Sequence, residues 1–404
     1  MDILTTPDLT SEAFFANRYP TYRVLRDNFP FFQTEIEGEP CIVLTRYAHV
    51  DEALRNPLVT MRPEPGKLPQ EFLGNSPGAR FYRESAATMD APDHTKVRRI
   101  LSPAFTSRAI GKMRAWMDET IERLLKRLEG ETEVEFVSEF SGPLAAEVSC
   151  KLAHVPVEEA GELISKAHDM ITLLGASKRR PGVLETADAT GQLYYALVED
   201  VLDRMKGKEL PEDDTLAVLL AAEGREDGLT RSGLATLLMG YLIAAYHTTQ
   251  SAITNATLAL LRHPDQKARL IAQPELARSA WEEIIRYDGP VHFRHRYASA
   301  PTTIGGKPIE AGQRLLLGLQ PANRDERRFP DPDRFIIDRP DNRHLAFGSG
   351  PHFCIGSQVV RLEAELLLQR LFQRFPRMSV KDAQFSPVPD LSFPMLTRLV
   401  LSLR

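Results

Sequence analysis

A cysteine, a histidine and three glycines meet in one short stretch, Phe347-Gly348-Ser349-Gly350-Pro351-His352-Phe353-Cys354-Ile355-Gly356. The cysteine sits on a glycine-rich loop and is followed at once by an amphipathic, helix-favouring run over residues 356–375. A thiolate placed there lies near the first turn of a helix, where free backbone N–H groups and the dipole favour negative charge. Gly348 and Gly350 let the backbone bend and come close to a flat partner. Phe347 can shield the sulfur. An iron held by one axial thiolate asks for these features: an anionic sulfur, N–H donors that temper it, and a dry wall. Cys354 is therefore the candidate metal ligand. The alternative is a buried structural cysteine in a turn, the usual fate of a lone Cys.

The pattern F-G-x-G-x-H-x-C-x-G resembles the haem-thiolate loop of the cytochrome P450 family, and other segments of the chain agree with it. The resemblance covers nearly the whole sequence. It implies a fold that is mainly α with a minor β region, built as a single haem domain over residues 1–404, and a haem b (iron protoporphyrin IX) cofactor. Phe347 and Gly348 then belong to the loop that holds it.

Within a ferric haem-thiolate the charges of iron, porphyrin and sulfur cancel. Two propionates remain, and they are costly to bury unless paired. Cationic donors from separate segments are therefore expected. His94 and Arg98 stand at i,i+4 on one helix face and look like the family's H-x-x-x-R segment. Arg296, after Pro290, matches the family's Arg on a strand beside the haem, and His352 is a fourth donor. Glu283-Ile284-Ile285-Arg286 matches E-x-x-R, whose spacing allows a buried ion pair. These two read as structural, with Arg334 as their third partner.

The run from Leu237 to Thr249 begins a long apolar helix that ends near His263-Pro264. It resembles the family helix that crosses the distal haem face. There a small residue leaves room for oxygen, a Thr hydroxyl assists its activation, and an acid one residue earlier feeds in protons. Ala244 is small and Thr248 is present, but Ala245 replaces the usual Gly and His247 replaces the acid. His247 is open to three readings: a proton shuttle that titrates near neutral pH, a block to the usual delivery route, or a packed ring without a catalytic role. The segment after Arg286 usually lines the substrate pocket. Here it supplies Val291, His292, Phe293 and Arg294, joined by Ala244 and Phe393 as pocket candidates, and its extra basic residues suit an anionic or polar substrate group.

Bulk properties agree. The 404 residues are 43% hydrophobic and 26% charged, enough for a large core. A net charge of -5 gives a nucleic-acid partner no support. Three cysteines far apart, Cys41, Cys150 and Cys354, suit a reducing cytoplasm rather than a disulfide framework. The first thirty residues hold no long apolar run, so no membrane anchor is expected. Residues 31–37 and 41–46 read as a hairpin, the stretch from Thr95 to about Leu260 as mostly helical, residues 304–313 and 396–403 as strands, and residues 62–76 and 178–182 as loops.

The combined expectation is a cytoplasmic monooxygenase that inserts one oxygen atom from O₂ into a small organic substrate. A ferredoxin-type donor would supply electrons, because the chain has no flavin or nicotinamide fingerprint. His247 keeps open an atypical member of the family that is peroxide-dependent, coupling, dehydrating or isomerising. The non-enzyme alternative is a haem protein that senses or carries a diatomic gas. Such a sensor needs an output module, for which one haem domain filling 404 residues leaves no room.

Overall fold

The computed structural model describes residues 7–63, 69, 72–176, 178–386 and 390–404. Pro65, within the expected Pro-rich loop, lies outside them. The helices that position the site are α1 (Tyr47–Arg55), α2 (Asp93–Leu101), α3 (Ser107–Arg127), α4 (Gly142–Leu152), α5 (Val183–Met205), α6 (Arg231–Arg262), α7 (Ala277–Asp288) and α8 (Ser357–Leu368). The longest, α6, starts where the Thr230 side chain accepts a hydrogen bond from the Gly233 N–H. It is apolar on most sides, as a helix through the middle of a large core must be. Leu234 to Ile243 pack into one hydrophobic cluster, and Ala252 to Leu260 pack into another. The helix ends where His263 Nδ1–H donates to the Ala259 carbonyl and Pro264 follows.

The strands are β1 (Phe31–Ile36), β2 (Glu39–Leu44), β3 (Val59–Thr60), β4 (Glu133–Glu135), β5 (Phe293–Ala298), β6 (Thr302–Ile304), β7 (Lys307–Ile309), β8 (Arg314–Gly318), β9 (Ser379–Phe385) and β10 (Leu396–Ser402). The main sheet runs β1-β2-β8-β5-β3, with β2 and β8 parallel and the other neighbours antiparallel. A second sheet runs β4-β10-β9. The expected hairpin is present, with Phe31 opposite Leu44. Leu315, Leu316 and Leu317 of β8 are fully buried, each contributing about 1.5–3 kcal/mol. In β5, paired with β8 so that Arg296 faces Leu315, alternate residues point to opposite sides.

Two expected elements differ. Residues 304–313 do not form one strand. Gly305 and Gly306 take φ of +53° and +73°, and two consecutive positive φ values make the tight turn that folds β6 onto β7. The helix expected over 356–375 stops at Leu368, and a separate turn follows over Leu371–Arg374.

Two adjacent carboxylates on α7 hold the segments on either side of Cys354. Glu283 is fully buried. It accepts from Arg286 Nε (2.7 Å) and Nη2 (2.9 Å), from Arg339 Nε (3.0 and 3.1 Å), from Asn342 Nδ2 (3.2 Å) and from the Ile336 N–H (2.9 Å). The remaining guanidinium N–H groups go to the carbonyls of Asn323, Pro330, Asp331, Pro332 and Arg334. The third charged partner is thus Arg339. The expectation of Arg334 is corrected: its side chain is 73% exposed beside Asp331, and only its carbonyl joins the network. The preceding residue, Glu282, points elsewhere and binds Arg361 Nε (2.7 Å) and Nη2 (2.9 Å) and His344 Nε2 (3.0 Å). Burial works to raise its pKa, but these hydrogen bonds hold it down at about 2.

Arg339→Ala strips a guanidinium from a buried carboxylate and is expected to lower unfolding free energy by about 3–5 kcal/mol. Arg334→Ala should stay within about 0.5 kcal/mol. Urea denaturation of the two variants measures the contrast, and equal effects would return the role to Arg334. Glu282 makes a prediction in pH. Its folded pKa lies below the ordinary 4.5, so its stabilisation is complete above 4.5 and is lost as pH falls through about 2. Glu282→Gln should be less stable than the wild type at neutral pH by about 2–3 kcal/mol, with the gap closing across that window. A gap independent of pH would show that the carboxylate charge is not what holds the segment.

Candidate active site

The Cys354 loop is shaped by backbone constraints that its sequence anticipates. Gly348 and Gly350 have φ of +72° and +68°, conformations that suit glycine. A Cβ on Gly350 would also come within 2.6 Å of the Leu54 carbonyl on α1. The Leu345 N–H is fixed by Asn323 Oδ1 (2.6 Å), which ties the loop to the Glu283 network. Within the loop the Cys354 N–H donates to the Phe347 carbonyl (2.9 Å). The Arg361 guanidinium, held by Glu282, lies 4.5 Å from the Phe347 ring centroid.

Cys354 is exposed, but onto an internal cavity. Burial raises its thiol pKa, whereas the N–H groups of Gly356 and Ser357 and the guanidiniums of Arg98 and Arg361 favour the thiolate. Such a sulfur becomes anionic most readily when a metal takes the place of its proton.

The cavity, of about 350 Å³, lies between this loop and α6. Ala244 and Thr248 from α6 line it, as do Phe347, Gly348, His352, Val291, Arg294, Arg296 and Phe393. Ala244 is exposed although Ile243 is buried, so the helix presents a small side chain where the space opens. Thr248 Oγ1 donates to the Ala244 carbonyl (2.8 Å). His94, on α2, is not on the wall, but its ring stacks on His352 with centroids 3.9 Å apart. Burial first, then nearby guanidiniums, push His94 down to about 4 and His352 to about 2. Arg98 lies close enough to influence both His94 and Cys354. Arg296 is brought by burial to about 9 and stays charged at neutral pH. A thiol opening onto an apolar slot with three guanidiniums and two imidazoles nearby fits a haem with buried propionates.

Three expected residues sit elsewhere. His292 and Phe293 do not line the cavity. His292 Nδ1 lies 2.7 Å from Tyr22 Oη, and the Phe293 ring packs edge-on to Tyr22. The alternation of β5 explains the correction from Phe293 onward: Arg294 and Arg296 share the cavity side, while Phe293 and His295 face away. His247 is buried on another side of α6. Its Nε2 lies 3.0 Å from His168 Nδ1, and its ring meets Phe393 edge-on. Burial first, then His168, lower it to about 3, so the expectation that it titrates near neutral pH is corrected. His247 Nδ1 has no partner among the described residues.

Sequence reasoning missed His168, Glu282, Arg361 and Glu363. Glu363, on α8, is the one carboxylate on the cavity wall among the described residues, and burial raises it to about 8. His168 and Arg361 lie 79 residues from their partners, so neither pairing leaves a local signal. Glu363 alone could have been read from its place on an otherwise apolar face of the helix after the cysteine.

The sequence and the fold have close counterparts. The cytochrome P450 family model matches residues 178–399. The chain is 32% identical to 6-deoxyerythronolide B hydroxylase of Saccharopolyspora erythraea over 385 residues, 93% of each protein. It is 33% identical to vitamin D(3) 25-hydroxylase of Pseudonocardia autotrophica, covering 92% of this chain and 90% of that one. Among solved structures, P450BioI in complex with a hexadec-9Z-enoic acid ligated acyl carrier protein superposes with a TM-score of 0.89 at 29% identity, covering 97% of this chain and 100% of that one. Relatives of that identity and extent, with a thiol on a glycine loop facing the small residues of a long helix, make this chain a member of the cytochrome P450 family, a haem-thiolate monooxygenase.

Proposed function

We propose that this monooxygenase inserts one oxygen atom from O₂ into a mainly apolar small organic molecule, using haem b ligated by Cys354 and electrons from a ferredoxin-type donor. The observation that carries the reading is the sharing of one apolar cavity by Cys354, Ala244 and Thr248. Two relatives are named as hydroxylases of organic molecules, 6-deoxyerythronolide B and vitamin D(3), and the P450BioI structure carries hexadec-9Z-enoic acid on an acyl carrier protein, which supports an organic substrate here. The contribution of α6 to both large core clusters and to the cavity supports one haem domain.

When bound, the haem supplies the redox chemistry that activates oxygen. The chain's residues do the rest. Cys354 supplies the anionic ligand, tempered by the N–H groups of Gly356 and Ser357. Arg98 and Arg296 offset the two propionates, with His94 and His352 as further hydrogen-bonding groups. Ala244 leaves space on the wall for oxygen. The Thr248 hydroxyl, by rotating from the Ala244 carbonyl, places its proton in the cavity. The relay reading of His247 takes His168 as its outer partner, 3.0 Å away and half-buried. His247 is uncharged at neutral pH and its Nδ1 has no partner among the described residues, so the relay requires a water between that nitrogen and the Thr248 hydroxyl.

Support for the electron donor comes from the outer side of the loop. Phe353 is 39% exposed, and Arg55, 66% exposed and paired with Asp51, bonds Ser349 close by, so the loop offers a donor an aromatic contact surface. Among the described residues, no helix is long and apolar enough to cross a membrane. The three free cysteines fit a reducing cytoplasm.

The first test is spectroscopic. The reduced protein with carbon monoxide should show the strongly red-shifted Soret band of a thiolate-ligated haem. Cys354→Ala should lose it, and Cys41→Ala and Cys150→Ala should keep it. Retention of the band without Cys354 would refute the ligand assignment. The second test measures product formed per electron with a reduced ferredoxin. Thr248→Ala should lower that ratio by about an order of magnitude or more and divert electrons to hydrogen peroxide. His247→Phe and His168→Phe should each lower it, and the double variant no further. Unchanged coupling in both single variants would leave the two imidazoles as packing groups.

A further inference from the structure

Arg294 is a guanidinium on the wall of a largely apolar cavity, and no carboxylate or hydrogen-bond acceptor pairs with it among the described residues. The Phe393 ring centroid lies 6.0 Å from the guanidinium carbon, and Tyr82, Cys354, Arg296 and His352 are within electrostatic reach of it. Burial lowers its pKa only to about 10, so the group is charged at neutral pH. Glu363 shares the wall but is held mostly protonated at neutral pH by its raised pKa of about 8. Arg294 is half-buried, and a charge held against an apolar wall without a counterion is destabilising. Arg294 therefore calls for an anion that enters from outside the protein.

On the reading proposed above, two propionates meet two guanidiniums, Arg98 and Arg296. Arg294 is a third, two residues before Arg296 on the same side of β5. Its planar fork matches a carboxylate with two parallel hydrogen bonds, and one guanidinium balances one negative charge. Ile171, Leu174, Val291 and Phe393 on the same wall offer contact to hydrocarbon.

We propose that Arg294 anchors the carboxylate of the substrate, so that the enzyme oxidises carboxylic acids with an extended apolar body. This rests on the monooxygenase reading and deepens it by naming the substrate class.

The test uses the haem-loaded full chain. Straight-chain saturated carboxylates from octanoate to hexadecanoate are titrated alongside the methyl ester of each, and binding is followed by the shift of the Soret band. Within the series, acids should bind about tenfold or more tightly than their esters. Arg294→Gln should abolish that preference by weakening the acid and sparing the ester, and Arg294→Lys should keep part of it. Absence of an acid preference anywhere in the series, or its persistence in Arg294→Gln, would overturn the proposal. Haem content per chain is measured in parallel. A folded Arg294→Gln that fails to retain haem would assign the guanidinium to a propionate and would equally overturn it. The carbon monoxide spectrum of the wild type separates the two levels: if the thiolate band is present and the acid preference absent, the anchor alone fails.

Discussion

A carboxylate that is fully buried has to be surrounded by donors, and much of the architecture around Cys354 follows from the one at Glu283. Two guanidiniums, an amide and a backbone N–H converge on it, and the spare N–H groups of those guanidiniums draw in carbonyls between Asn323 and Arg334. An irregular segment is thereby fixed as firmly as a helix would be. Next to it, Glu282 reaches the other way to Arg361 on the helix after the cysteine. The sulfur is suspended between two attachments that start from adjacent residues of α7. Displacement of that helix would move both sides of the loop together.

The cavity brings together demands that oppose one another. Apolar walls suit a hydrocarbon substrate and exclude water, but the same walls raise the pKa of Cys354 and Glu363 and lower those of the arginines. Charge survives there because the guanidinium starts from so high a pKa that burial does not neutralise it. The imidazoles do not survive as cations, and His94 and His352 act as polar but uncharged groups. The haem proposed for this slot would thus be held through arginine, with histidine in support.

The parts of this structure that were legible in the sequence are those coded over short distances. The glycine loop, the i,i+3 spacing of Glu283 and Arg286, the His94–Arg98 helix and the small residues of α6 all declare themselves within a few positions. The parts that were not legible depend on what folds against what. Arg334 and Arg339 are equally plausible partners for Glu283 on paper, and only the course of the chain beyond Asp331 turns one outward and the other in. His292 and Phe293 sit amid pocket residues in sequence, but the pleat of β5 turns Phe293 away and the contact with Tyr22 Oη holds His292 off the cavity. His168 becomes relevant to His247 only when the short helix Ala167–Ile171 packs on α6.

Phe353 and Cys354 are neighbours in the chain, yet one is on the outer surface and the other opens inward onto the cavity. The partition between solvent and the redox centre is one peptide unit thick at that point. Electron tunnelling falls off steeply with distance, so a donor that merely touches this face is already within useful range and has no need to penetrate. By the same geometry, the loop proposed to hold the haem iron is also a thin cover between the cavity and solvent. Anything that covers Phe353 would limit turnover without entering the site where the substrate reacts.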